Sequence, residues 1–228
     1  STEGLGDSIQ AHLRNRLVFA YMRKPTQPEW YTWGIDNNID PIVLACTEQN
    51  TNWFDSFLDY EEGGKYAGTP QDKHNDLIFN PRLSQQAYIT PRSLHSASDI
   101  VAERENFDAD TLQALLTGTI GRAGAEIMGA YIRFGDETPA FGKIISSPAT
   151  CPIPTNPVAQ IITVLKCVTQ TGNRDEAEAC TEYVMRNRRE LQSMFANNIA
   201  NSVRASLFVT VKPFQQLMND NKIYFSTK

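Results

Sequence analysis

The chain reads as a mainly α-helical protein with one short strand near its N-terminus. Apolar residues recur at helical spacing through most of it, residues that start helices precede those stretches, and one six-residue run, Leu17–Met22 (LVFAYM), is built of apolar strand formers. An apolar fraction of 41% over 228 residues belongs to a globular chain that can bury one good core or two small ones. No stretch reaches the ~18 apolar residues of a membrane-crossing helix, so no membrane partner is expected. The start, Ser1–Gln10, is polar and acidic, unlike a signal peptide.

Taken in order, Gly6–Arg16 reads as a short helix capped by Asp7 or Ser8, with Ile9 and Leu13 on one face. The strand Leu17–Met22 follows and is stopped by Arg23, Lys24 and Pro25. Its unbroken apolar character suits a strand covered on both faces, as in a parallel sheet, yet no neighbouring segment offers it a partner. Thr26 caps the next helix, with Pro28 and Glu29 in its first turn and a stop near Asn37 and Asn38. Asp40 and Pro41 open another helix through Ile42, Val43, Ala45 and Cys46. Trp53, Phe54, Phe57 and Tyr60 belong to a third short helix or turn, and Glu61–Asn80 reads as surface loop.

Thr90 and Pro91 start a helix whose Leu94, Ala97, Ile100 and Val101 form one apolar stripe. Asp108 or Asp110 caps the next, through Leu112, Leu115 and Leu116, and a glycine-spaced helix continues through Met128 to Gly135. The proline-rich stretch 136–156 reads as a linker with little regular structure. Helices are expected over Pro157–Thr169, Arg174–Arg188, Glu190–Val203 and Phe214–Asn221. The resulting division is 1–25, 26–135, 136–156 and 157–228, with helical units in the second and fourth.

Several chemistries are excluded by what is missing. There is no G-x-x-x-x-G-K-[ST] loop and no strand ending in paired acids to hold magnesium, so the chain alone is expected not to hydrolyse nucleotide. Gly118, Gly121 and Gly124 lack the strand-to-helix context of a phosphate loop and are expected to serve close helix packing. No G-x-S-x-G occurs, and His12, His74 and His95 lack the pattern of a catalytic triad. Cys46, Cys151, Cys167 and Cys180 contain no C-x-x-C pair, so no metal site is expected and the thiols read as reduced, mostly buried groups of a cytoplasmic protein. Asp55, Asp59, Glu61 and Glu62 read as a solvated acidic face. The net charge of -5 argues against bulk electrostatic binding of nucleic acid.

The arginines carry more information. Arg14 and Arg16 stand where a short helix meets an apolar strand, a junction that can project a guanidinium toward a phosphoryl group, although a plain pair of surface arginines would look the same. Arg92 falls in the first turn of its helix, a poor place for a cation unless an anion offsets it.

The order of these features resembles the AAA+ ATPases, in particular the MoxR-like branch and its relatives in tailed bacteriophages. STEGLGD at Ser1–Asp7 is similar to the segment after the first sensor, LRNRLVF at Leu13–Phe19 to the arginine-finger turn and last core strand, and TPRSL at Thr90–Leu94 to the second-sensor helix start of the lid. The resemblance spans residues 1–135, and the PTNP at Pro154–Pro157 is similar to phage-type ATPases alone. It implies a helical lid plus a C-terminal helical extension, with a remnant strand of the α/β core. It also implies a trans-acting arginine finger at Arg16, with Arg14 as substitute, and a second sensor contacting ATP phosphate at Arg92. ATP and Mg would belong to the full-length parent, because both Walker motifs and the first sensor are missing here and the chain resembles a fragment beginning in mid-domain. Neighbouring subunits of a cytoplasmic ring, in a bacterial cell or phage-infected host, would be its partners, with a von Willebrand type A domain protein as a further one. The alternative is a non-enzymatic helical adaptor that binds an acidic protein or nucleic acid through Arg186, Arg188, Arg189 and Arg204.

Overall fold

Side-chain caps set most of the helix starts. The computed structural model describes residues 16–18, 20, 23–71 and 75–221. Helix α1 (Gln27–Asp36) begins at Thr26, whose backbone N–H donates to Glu29 Oε2 at 2.9 Å. It stops at Asn37 and Asn38, the latter at φ 58°. Helix α2 (Pro41–Gln49) is capped by Asp40 Oδ1, which accepts from the Ile42 N–H at 2.7 Å. Helix α3 (Pro91–Ala102) starts at Thr90, and α4 (Ala109–Ile120) at Asp108, which accepts from the Thr111 N–H at 2.7 Å. Helices α5 (Arg122–Asp136), α6 (Phe141–Ser146), α7 (Pro157–Gln170) and α8 (Arg174–Met185) follow. The chain continues through α9 (Arg189–Ala200), α10 (Ala205–Phe208) and α11 (Lys212–Asn221). Asn156 and Asn173 cap α7 and α8, their side chains accepting backbone N–H groups at 2.8 and 3.0 Å. Each such cap satisfies donors that a helix leaves open at its first turn.

Helix α2 is the axis of the molecule. Every residue from Pro41 to Thr47 is buried, and α1, α3, α5 and α7 pack around it. A helix apolar on all sides must sit inside the protein, and its sequence PIVLACT has no polar face to present to water. On its α5 side Gly135 lies so close that an added Cβ would stand 2.4 Å from Ile42 Cδ1. On the far side of α7, helices α8, α9 and α11 enclose Phe195, Phe208 and Phe214, with ring centroids 5.2 to 6.1 Å apart.

Mainly α is therefore the observed class, and among the described residues the sole strand-like pairing is an isolated bridge between Ile78 and Ile89. The strand expected at Leu17–Met22 is absent where it is described: Leu17, Val18 and Ala20 have no regular structure, and Val18 is 98% exposed. A strand exists by pairing its backbone with another, and no described element offers an edge. The helix expected over Gly6–Arg16 lies outside the described residues, except for Arg16, which stands in a turn.

The stretch 136–156 is more than a linker. It contains α6, and its Ile144 and Cys151 are buried. The apolar residues of Phe141, Ile144 and Ile145 draw it onto the core despite the prolines around it. That core is continuous: α7, beyond this stretch, packs on α2, α5 and α1. The end of α1 is also tied to the turn after α9, where Asp36 Oδ1 accepts from the Ser202 hydroxyl at 2.6 Å and Arg204 donates to the Ile35 carbonyl at 3.0 Å.

Of the acidic cluster Glu62 alone is solvated, and the other three carboxylates are tied into the fold. Asp55 is 8% exposed and accepts from the hydroxyls of Tyr60 and Tyr66 at 2.8 and 3.0 Å. Asp59 accepts from the Ser56 N–H at 2.6 Å, and Glu61 pairs with Arg82 at 2.5 Å. These carboxylates hold the 51–89 excursion in shape, which the polar composition of that stretch conceals. Loops that run over a surface still need partners for their buried polar groups.

Candidate functional site

The start of α3 stands at the meeting point of three clefts. The largest, of about 800 Å³, is bounded by Lys24 and Pro25 before α1, by Arg92, Ser93 and Ser96 on α3, and by Thr119 of α4. A second, of about 510 Å³, lies toward Phe57, Leu58 and Phe79. The third, of about 490 Å³, lies between α1 and α3 and is walled by Trp30, Trp33, Pro91 and His95. Arg92 borders the first and the third. Volumes of this order suit small-molecule ligands.

The cap of α3 shapes the electrostatics here. Thr90 Oγ1 accepts from the Ser93 N–H at 3.0 Å, and the Thr90 N–H donates to Ser93 Oγ at 2.8 Å. The Ser93 hydroxyl in turn donates to the Tyr88 carbonyl at 3.0 Å. The same reciprocal arrangement at α1 uses a carboxylate, Glu29; at α3 it uses a neutral serine, and the first turn of α3 has no acidic residue. The positive end of the helix dipole is thus left uncompensated, and Arg92, exposed in that turn, adds a full charge beside it. Among the described residues the Arg92 guanidinium has no hydrogen-bond or ion-pair partner. Two like-signed sources of field, with no carboxylate among the residues that line the large cleft, favour an anion there.

The chain matches no protein-family model, no curated protein and no solved structure.

Lys24 is a second cation on the cleft wall, but it is employed differently. Its ammonium donates to the carbonyls of Asp55 and Trp53 at 2.9 and 3.2 Å, which spends two of its three N–H bonds on the 3₁₀ turn Thr51–Phe54 and the residue that ends it. Burial holds its pKa below the ordinary lysine value, opposed by the nearby charge of Asp55. Lys24 therefore fastens the entry of α1 to the 51–60 segment, with its ammonium 6.0 Å from the centroid of the Phe54 ring.

Of the residues singled out in the sequence, Arg92 lies in a cleft and Arg16 does not. Arg16 is exposed in its turn and borders none of the three cavities; Arg14 lies outside the described residues. The glycine series divides. An added Cβ at Gly121, where φ is +77°, would stand 2.8 Å from the Ala87 carbonyl oxygen, and one at Gly124 would stand 3.1 Å from Ile89. These two serve close packing. Gly118 faces open space and borders the large cleft. Trp33 and His95 were not singled out as site residues. Spacing could have found His95 and Ser96, since they follow Arg92 by three and four positions and share its helix face, opposite the Leu94, Ala97 and Val101 stripe.

The four other arginines proposed as a basic patch are each tied to their own chain. Arg186 donates to the Pro148 and Cys151 carbonyls, Arg188 to Gln160, Arg189 to the Asp220 carbonyl and Arg204 to the Ile35 carbonyl. The four cysteines are buried and unpaired. Among the described residues no group of three or more His, Cys, Asp or Glu side chains is placed to hold a metal ion, and no helix is long and apolar enough to cross a membrane.

Proposed function

We propose that this chain supplies the helical lid and arginine finger of a ring-forming AAA+ ATPase, with Arg92 as the second sensor contacting ATP phosphate and Arg16 as the finger that reaches a neighbouring subunit's nucleotide. The observation that carries the reading is Arg92. It stands exposed and unpaired at a cleft, in a first helix turn that has no acid to balance it. The mainly helical architecture is compatible with a lid, and the sequence resemblance to the MoxR-like and phage branch supplies the rest. In this reading ATP and Mg are held by an upstream phosphate-binding half, the partners are further subunits of a cytoplasmic ring, and von Willebrand type A proteins are clients of the assembled ATPase. The chain alone hydrolyses no ATP, for want of a phosphate loop and magnesium ligands. The adaptor alternative gains no support from Arg186, Arg188, Arg189 and Arg204, whose guanidiniums are bound to carbonyl and amide oxygens of the chain itself.

The test is made in the ATPase assembled with its upstream half. Arg92→Ala is expected to weaken both nucleotide binding and turnover. Arg16→Ala is expected to lower turnover and spare ATP affinity, since a finger acts on charge that develops during transfer. Mixing Arg16→Ala subunits with normal ones should depress activity beyond simple dilution. Activity that follows dilution alone removes Arg16 from the trans-acting role, and ATP affinity unchanged in Arg92→Ala removes the sensor.

A further inference from the structure

We infer that Glu48, in the last turn of α2, works as a proton-operated latch: the neutral carboxyl keeps its enclosed place beside Tyr31 and Tyr131, and the carboxylate formed as pH rises leaves it and loosens the tie between α1 and α9. The inference stands apart from the reading of Arg92 and uses none of its residues.

Its first support is an orphaned atom. Glu48 Oε2 is buried and has no hydrogen-bond partner, and no lysine, arginine or histidine among the described residues forms an ion pair with the carboxylate. A carboxylate enclosed without donors costs far more than the neutral acid, so a group so placed keeps its proton. The second support is the helix end. The last turn of α2 has no basic residue, and the negative end of the helix dipole disfavours a further negative charge there. The third is the surroundings: Tyr31 of α1 and Tyr131 of α5 lie close enough to feel a charge on Glu48. Burial is the larger influence on both phenols and holds them neutral, so neither supplies a counter-charge.

The charged groups on the other elements around α2 are engaged elsewhere. Lys166 of α7 and Arg104, in the turn after α3, act on Asp40 at the start of α2, about 12 Å of helix from Glu48. Lys24 is bound to the Trp53 and Asp55 carbonyls, His95 of α3 faces Trp33, and Arg133 of α5 is exposed. Cys46, the titratable neighbour on α2 itself, is a buried thiol that burial keeps protonated.

What the latch holds is the hydrogen bond that Asn198 of α9 donates to the Tyr31 hydroxyl at 3.2 Å. Once ionised, Glu48 must find donors, and turning out to water or drawing the Tyr31 hydroxyl toward itself both disturb that bond. Burial holds the Glu48 carboxyl above the ordinary glutamate range. With the folded value above the unfolded one, its contribution to stability is fully present below the ordinary range and is lost as pH rises through the folded value.

The experiment titrates the full 228-residue chain, following the Glu48 carboxyl carbon and the Asn198 side-chain amide by NMR. The carboxyl is expected to titrate above the ordinary glutamate range, and the Asn198 amide to shift and lose protection from exchange with the same midpoint. In urea unfolding the unmodified chain should lose stability as pH rises through that midpoint. Glu48→Gln, neutral at every pH, should match it at acid pH and lack this part of the pH dependence. A Glu48 midpoint inside or below the ordinary range overturns the latch, as does an Asn198 amide that ignores a raised midpoint. A Glu48→Gln variant whose stability keeps the full pH dependence overturns it too. The titration and the amide signal are read on the unmodified chain, so they decide the matter even where the variant fails to fold.

Discussion

Glu29 shows how a single exposed carboxylate is tuned by its helix. Arg23 donates to it, and the Thr26 N–H and hydroxyl donate as well; together they hold its pKa at about 2, with the Arg23 hydrogen bond the largest cause. Its folded pKa lies below the unfolded one, so its contribution to stability is fully present above the ordinary glutamate range and is lost as pH falls through about 2. The carboxyl carbon of Glu29, followed by NMR during acid titration, is expected to give a midpoint near 2 in the native protein. Arg23→Gln should move that midpoint upward. A midpoint in the ordinary glutamate range in the unmodified chain would mean that the cap does not persist in solution.

At the scale of elements, the glycines in and between α4 and α5 make opposite predictions. Gly118 lies within α4 with nothing near an added Cβ, so Gly118→Ala should stabilise the protein by about 0.5–1 kcal/mol through helix propensity alone. Gly121, between the two helices, combines a positive φ with a backbone carbonyl 2.8 Å from an added Cβ, so Gly121→Ala should destabilise by about 1–3 kcal/mol. Urea unfolding of the two variants reads both signs, and equal effects would show that the turn at Gly121 relaxes freely.

The same two glycines mark how far the elements were legible in the sequence. Caps and apolar stripes are local, so Thr26, Asp40, Thr90 and Asp108 could be read directly as helix starts and stand there in the structure. Gly121 was read into a continuous glycine-spaced helix, because the Ala87 backbone that presses against it comes from 34 residues upstream. Local pattern holds no information about that approach. The run Leu17–Met22 has the composition of a strand, but composition cannot supply the partner edge that makes one. In the candidate site, Arg92 was legible as an electrostatic misfit within its own helix. Trp33 was not, because its place opposite His95 depends on how α1 crosses α3.

For the whole molecule, the continuous core predicts cooperative behaviour across the proline-rich stretch. Helix α7 buries Ile162, Val164, Leu165 and Val168, and it packs on α2 and α5 as well as on α8 and α9. Residues 26–135 and 157–221 are therefore expected to unfold together, in one calorimetric transition whose van't Hoff and calorimetric enthalpies agree. Two separate transitions would show that the packing of α7 against α2 adds little to stability. Val168→Ala, a truncation at a fully buried position, should lower the midpoint of that transition without splitting it, at a cost of about 1–3 kcal/mol.

Helix α2, enclosed from Pro41 to Thr47, also makes a gauge of the molecule's lifetime. No fraying of an end or swinging of a loop brings its central amides to water, since α1, α3, α5 and α7 must all part first. Deuterium should therefore enter at Leu44, Ala45 and Cys46 only when the entire chain opens, and the free energy drawn from their exchange should equal that of global unfolding. Amides at the exposed end of α3, by contrast, should exchange through smaller openings, so the ratio of the two rates measures how much of the fold stays closed while the cleft at Arg92 breathes.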